Sequence, residues 1–526
     1  MERREVLKFT ALAGATGVFT LAPVSFAGAE PAGAQDSAPA AEETRTVTGH
    51  LPTGVADFVY LPVNVPHGVR EIAVSYTYDR PAVPVGTVGN ACDIGIFDQH
   101  GTALGGKGFR GWSGGARTAF AISAEQATPG YLAGPVSPGT WNVVLGPYTV
   151  APQGLDYSVT ITLRYGPRDT TPAPTYPPQH AKGRGRAWYR GDCHLHTVHS
   201  DGQRTPAEVT AAARAAGLDF INTSEHNTTS AHSAYGPLAG DDLLVLTGEE
   251  ITTRNGHYLA IGTDPGVWFD WRYRARDDAY PRFARRIRGA GGLVVPAHPY
   301  GIFPASQWKF GYDQADAIEV WNGPWGPDDE LSLNTWDNLL TASTRGDGHW
   351  IPAMGNSDAH REPNVVGLPQ TVVLADGLDR DALLAGIRAG RSWLAESSGV
   401  QLAFTATGPR GEHAGIGERL VVGAEDVVTV RLEVSGVRGA PGAPGAPGAP
   451  DGGGVFGAQV RLMTDEGQMF ATQLAPSGVG SVEWRTTASL AAYVRAEVRH
   501  PVTDGGASGL PGAVAALTNP VWLDVR

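Results

Sequence analysis

The stretch Gly191–Gly202, GDCHLHTVHSDG, constrains this chain more than any other. It gathers Asp192, His194, His196, His199 and Asp201, more side chains able to hold a hard or borderline cation than a structural strand needs. If Asp192–His196 runs as a β-strand, the two-residue period puts Asp192, His194 and His196 on one face and Cys193 and Leu195 on the other. Two imidazoles so placed can point at one ion. An HxH pair also occurs as a turn cap or a hydrogen-bonded core pair, so its meaning depends on what the rest of the chain brings to it.

With 526 residues the chain is too long for a single core and suggests about three domains. Seventy glycines and 39 prolines demand many turns, while 42% hydrophobic residues exclude wholesale disorder. A formal net charge of −13 and the lack of any long Lys/Arg cluster leave no evident nucleic-acid-binding face and no electrostatic pull to anionic lipid. Residues 1–29 read as an export signal: Arg3, Arg4 and Lys8 open it, Phe9–Leu21 is apolar and rich in small residues, and Ala27-Gly28-Ala29 offers a cleavage site. The apolar run is too short and too broken by glycine to anchor the chain in a membrane. RREVLK resembles a twin-arginine signal with Val6 where that motif usually has Phe, so the expected location is exported, secreted or in the cell envelope. Cys92 and Cys193 are expected as two separate thiols.

Composition shifts divide the remainder. Residues 30–44 read as a linker. Residues 45–165 carry short alternating segments such as REIAVSYTYD and LDYSVTITLRY, which predict an antiparallel β-sandwich; nothing in it reads as chemical, and Asp93 and Asp98 are taken as loop or edge residues. A Pro-rich linker spans 166–187. From 188 to 396 strand and helix patterns alternate, predicting a parallel sheet or barrel. Residues 397–526 return to β patterns, predicting an immunoglobulin-like sandwich with a Gly/Pro-rich loop at 439–454.

Within 188–396, His226, Glu250, His298, Asp358 and His360 each fall at or just past the end of a predicted strand, where a β/α barrel builds its active site. The ordered set DCHLHTVHSDG, NTSEHN, TGEEITTRNGH, VVPAHP and GNSDAHR resembles the PHP (polymerase and histidinol phosphatase) superfamily, and most closely its CehA/McbA-type metallohydrolases. The resemblance implies a distorted (β/α)7 barrel with two or three divalent metal ions. It implies His194, His196, Glu250 and Asp358 on a first ion, with Glu250 bridging to a second held by His257 and His298. Asp201, His226 and His360 would hold a third. Glu250 is chosen over Glu249, which is expected to face away.

Imidazole and carboxylate ligands without thiolate suit zinc, manganese or iron. Such a site is made for hydrolysis of an ester by a metal-activated water, with phosphoric esters favoured because several ions can clamp attacking and leaving oxygens. Carboxylic or carbamate esters are the alternative, and a non-catalytic envelope-binding protein with a vestigial barrel is another. The partner is a small-molecule or polymer ester. Beyond the water, only His199 and Arg361 stand as candidate catalytic side chains, and Asn227, Tyr300, Trp321 and Asn322 as candidate pocket residues.

Overall fold

Along Val428–Ser435, and from Ile72 onward in Val69–Tyr78, every second side chain turns inward, so a two-residue hydrophobic period becomes one buried and one wetted face. The structure is a computed structural model that describes residues 42–167, 170–303, 305–437, 439–441, 455–502 and 511–526. The segment read as an export signal and most of the 30–44 linker lie outside the described residues, as does most of the 439–454 loop. The first strand, Glu42–Leu51, begins inside the span read as linker.

Two four-stranded antiparallel sheets make up the amino-terminal region. One orders Glu42–Leu51, Leu155–Tyr165, Val69–Tyr78 and Ala119–Ser123; the other orders Val59–Val65, Gly139–Thr149, Ala91–Phe97 and Phe109–Gly114. Val63, Ile72, Ile94, Ile122, Trp141 and Ile161 fill the space between them. A second set of aromatic side chains faces outward from the latter sheet and packs on the central region. Phe109 stacks on Trp268 at 4.2 Å, and Trp112 meets Trp271 at 4.7 Å. Arg272 donates to Tyr60 Oη at 2.6 Å, and Arg274 pairs with Asp57 at 2.6 Å. The 166–187 segment therefore joins two regions that share a core.

The central region places strands Ala187–Asp192, Phe220–Asn222 and Leu244–Leu246 in parallel, with the helix Pro206–Ala215 between the first two. Thr205 and Glu208 close a capping box at that helix's start, and Pro206 sits at its first position. Parallel order then breaks. Glu249–Thr253 and Gly256–Ile261 form an antiparallel hairpin, and Leu293–Ala297 pairs antiparallel with its second strand. Only Arg254 and Asn255 join the hairpin strands, and so short a link cannot cross over to a parallel neighbour. Ile318–Asn322 and Ala353–Asn356 are parallel again. Single bridges, His226 to Glu250 and Leu195 to Ala359, tie these separate sheets together at one end.

The sheet that begins with Leu244–Leu246 does not stop at the central region. It runs through Gln370–Ala375 and Ser392–Ala395 into Val514–Thr518, Tyr493–Arg499 and Gln459–Thr464, so the carboxy-terminal strands extend it. A four-stranded sheet containing Gln401–Thr407 and Val428–Ser435 covers this extension over a common core. Among the described residues no helix is long and apolar enough to cross a membrane. Both cysteines are free and buried.

A buried ion network fastens the carboxy-terminal strands to the helix Pro327–Thr344. Arg495, Glu497 and Arg499 share one face of their strand, 2% exposed or less. Arg495 pairs with Glu497 and with Asp337, each at 2.7 Å, and Arg499 with Glu497 at 2.8 Å and Glu330 at 2.5 Å. Burial alone would raise the Glu497 carboxyl, but Arg495 and Arg499 outweigh it and hold it at about 2. Replacing Glu497 with Gln leaves two guanidinium groups without their shared carboxylate, and should cost about 3–5 kcal/mol in urea unfolding. Because the folded value lies below the unfolded one, the native protein should keep this contribution above the ordinary Glu range and lose it as pH falls toward 2. The variant should lack that part of the acid sensitivity.

Candidate metal centre

The site forms where the central strands end. The strand Ala187–Asp192 stops before the histidines, but an extended course persists through the Leu195 bridge. Cys193 and Leu195 enter two different apolar cores, while His194 and His196 turn the opposite way and are fully buried. Asp192 is not part of the cluster. Its carboxylate accepts the backbone N–H groups of His194 (3.2 Å), Ser357 (3.1 Å) and Gly367 (2.8 Å), tying together the loops that carry the ligand-type residues. Gly202 lies so close to the His196 backbone that a Cβ would clash there, which explains the Asp-Gly pair closing the stretch.

All nine residues singled out as ligands converge. Four overlapping groups place potential ligand atoms within 4.8 Å of one another: His196, Asp201, His226 and His360; His194, His196 and Glu250; His194, His298 and Asp358; His226, Glu250 and His257. Glu250 is the hub. Its Oε2 lies 3.4 Å from the Nε2 atoms of both His194 and His196 and 2.8 Å from His226 Nδ1; its Oε1 lies 2.9 Å from His257 Nδ1 and 3.2 Å from His298 Nε2. Asp358 Oδ1 stands 3.2 Å from His194 and 3.0 Å from His196. Asp201, half exposed at the rim, lies 3.4 Å from His226 and 3.3 Å from His360. The grouping expected from sequence shifts in detail, since His226 faces Glu250 as well as Asp201, and His298 groups with His194 and Asp358.

Glu249 turns to the other face of its strand and accepts the Phe269 N–H at 3.0 Å. Glu225 braces the loop after His196, accepting from Thr197 and Ser200. His199 and Arg361 do not join the cluster. The His199 ring meets Ser230 at 2.9 Å beside a separate cavity, and burial, with Arg117 and His232 nearby, pushes it down to about 4. Arg361 is exposed. Trp321 is a packing residue against Trp325, and Tyr300 meets Thr335 at 2.6 Å. Asn322 Nδ2 reaches Glu319 at 2.9 Å, and Asn227 braces the hairpin by accepting the Thr252 N–H at 2.7 Å.

Sequence reasoning missed Glu319. It is fully buried and lies 3.0 Å from His194 Nδ1; it accepts the His298 N–H at 2.9 Å, and Asn356 donates to it at 2.9 Å. A carboxylate between Ile318 and Val320 in the strand Ile318–Asn322 was the available signal, because buried acids need partners. Asp93, read as a loop or edge residue, lies on the strand Ala91–Phe97 and faces the same cavity as Asp201 and His226. Burial, opposed by Arg254 and His226, raises its carboxyl to about 6.

Two features mark this as a built site. Among the described residues only four non-glycine residues have positive φ, and three of them, Asn227 (57°), His298 (28°) and Asp358 (48°), stand here, where such strain persists only if surrounding structure imposes it. The buried atoms His194 Nε2, His196 Nε2, Glu250 Oε2, His257 Nε2, His298 Nδ1 and Asp358 Oδ1 also make no hydrogen bond. Orphaned imidazole and carboxylate atoms this close together fit divalent cations.

The acids and imidazoles of the cluster shift one another's protonation. Burial alone would favour the neutral acids, but the surrounding imidazoles hold Glu250 and Asp358 well below the usual carboxylate range. Burial opposes charge on His226 and His360 as well, yet Glu250 and Asp201 raise the first to about 9, and Asp358 and Asp201 the second to about 10. His196 is driven down to about 3 by burial and its imidazole neighbours, and stays neutral.

No protein-family model matches this chain, and no curated protein matches it. Among solved structures, it is similar to a two-domain protein from Bacteroides vulgatus described as containing a predicted PHP-like metal-dependent phosphoesterase. That match has 14% identity and a TM-score of 0.32, covering 66% of this chain and 99% of the other. A Bifidobacterium adolescentis protein described as a metal-dependent phosphoesterase matches at 22% identity and a TM-score of 0.26, over 40% of this chain and 96% of its own. A Chromobacterium violaceum amidohydrolase, with bound sulfate and no metal, matches at 21% and 0.23, over 34% and 89%. Likenesses this low say nothing about chemistry, which has to come from the site.

Removing the Glu319 carboxylate in Glu319→Ala should weaken metal binding about 10–100-fold with the fold retained, measured by competition with a chromophoric chelator. The pair His298→Ala and Asp358→Ala should abolish stoichiometric metal in purified protein. Loading metal-free protein near neutral pH should release protons as cations displace them from His226 and His360, and affinity should rise with pH; a weakly buffered titration reads both.

Proposed function

We propose that this protein is a metal-dependent hydrolase of ester bonds, with phosphoric esters its preferred class. The observation that carries the reading is the convergence of six imidazoles and three carboxylates with orphaned, buried ligand atoms. His194, His196, Glu250 and Asp358 would form the floor of the metal site, His257 and His298 one side, and Asp201, His226 and His360 the rim. Bound there, divalent cations would lower the pKa of a water toward about 7 and neutralise charge on the oxygens of the attacked group. Several cations favour phosphoryl groups, whose attacking and leaving oxygens both need charge compensation. The resemblance to CehA/McbA-type enzymes keeps carboxylic or carbamate esters as the second reading. We read the central strands, with their linking bridges, as a distorted barrel of the PHP kind. The charged, apolar start of the chain supports export by a twin-arginine route.

The chain's own residues divide the work. Glu319 and Asp192 fix imidazole orientation and loop position, so the site needs little rearrangement to bind. Asp201 and His360, the more exposed pair, close the site on its solvent side. Purified protein stripped by chelator and reloaded with zinc, manganese or iron should hydrolyse p-nitrophenyl phosphate or its bis ester faster than p-nitrophenyl acetate. The reverse order would favour the carboxylic ester reading, and no turnover with stoichiometric metal would favour a binding protein.

A further inference from the structure

Beside the rim of the cluster lies a cavity of about 460 Å³ whose near wall is Asp201, His226 and His257 and whose far wall comes from the amino-terminal sheets. That size lies within the range of small-molecule sites. Phe58, Trp112 and Trp271 give the far side an apolar face, with the Gly114–Ala116 loop above it. Arg254, at the tip of the Glu249–Ile261 hairpin, also lines the cavity. Its guanidinium lies over the Tyr148 ring at 4.4 Å and makes no direct ion pair or side-chain hydrogen bond among the described residues, while its charge acts on the carboxyl of Asp93, which lines the same cavity. A guanidinium over an aromatic ring, with no direct ion pair, is available to take a carboxylate or phosphate on its N–H edge. The whole wall depends on the amino-terminal region, because Trp112 and Tyr148 belong to it and the shared aromatic core holds it in place.

We propose that this cavity is the substrate's subsite, built jointly by the amino-terminal sheets and the metal-bearing region. It takes an ester whose flat apolar substituent lies against Trp112 and Trp271 and whose second, anionic group pairs with Arg254. The inference rests on the phosphoester hydrolase reading. The reacting group would sit at the rim histidines while the substituent fills the cavity. Trp112 and Arg254 thus act as specificity-determining residues and not as catalytic ones.

Three non-hydrolysable probes test this in calorimetric titrations of the full, metal-loaded chain: methylphosphonate, phenylphosphonate and 4-carboxyphenylphosphonate. Phenylphosphonate should bind about tenfold more tightly than methylphosphonate through the buried ring, and the added carboxylate should give a further gain of about tenfold. Trp112→Ala should erase the first gain and Arg254→Gln the second, with metal content and methylphosphonate affinity unchanged. Should Trp112→Ala fail to fold, Ala116→Phe, which adds bulk at an exposed lining position, should block the ring in the same way. Equal affinity for the three probes, or gains that survive the variants, would overturn the subsite while leaving the hydrolase reading intact. Failure of methylphosphonate itself to bind metal-loaded protein would overturn the phosphoester reading and this proposal with it.

Discussion

A single buried carboxylate, Glu250, sets the terms for the rest of this structure. It is fully enclosed, and five imidazoles from four other places in the chain come within 3.4 Å of its two oxygens. A lone charge so placed would be prohibitively costly. It is tolerated because histidines from separate strand ends surround it, and those histidines are in turn held by Glu319, Thr252 and Ser200. His194, His196, His226 and His298 lie past the ends of their strands, whereas Glu250, Thr252 and Glu319 lie within strands, so the region's chemistry is built from both. Strained backbone at Asn227, His298 and Asp358 agrees with this, since those turns depart from ordinary conformation to aim side chains inward.

The two flanking regions are bound to this centre by different means. On the amino-terminal side the join is aromatic: Phe97, Phe109 and Trp112 enter the same cluster as Phe269, Trp271 and Phe283. On the carboxy-terminal side the join is backbone pairing, continued by the buried network around Arg495 and Glu497. The difference has a consequence for function. The aromatic join leaves a cavity beside the rim of the candidate metal site, whereas the cavity at the carboxy-terminal join is lined by the ion network of Arg495, Glu497 and Arg499 and by the helix Pro327–Thr344.

Much of the site was legible in the sequence because histidine and acidic residues at strand ends have few structural uses in such number. The opening stretch and the residues His226, Glu250, His298, Asp358 and His360 were found that way, His257 came only from the family resemblance, and all nine meet in space. The Arg254-Asn255-Gly256 turn, flanked by short apolar runs, also carried a hairpin signal, yet the alternating strand and helix pattern around it suggested parallel order throughout. The two-residue link made that order sterically impossible at this point. Glu319 escaped notice for a different reason. It lies within one strand, in none of the histidine-bearing stretches, and only folding brings it to His194.

By itself, then, the sequence determined which strand-end histidines and acids stand out, the side of the strand on which His194 and His196 stand, and the β-rich character of both flanking regions. These follow from residue chemistry and from periods of two, which are local. Which ligand faces which, the role of Asp192 as a brace, and the meeting of Trp112, Tyr148 and Arg254 over one cavity were decided by tertiary structure alone. Each depends on residues from distant parts of the chain, and no local period records a contact made only when separate sheets pack together.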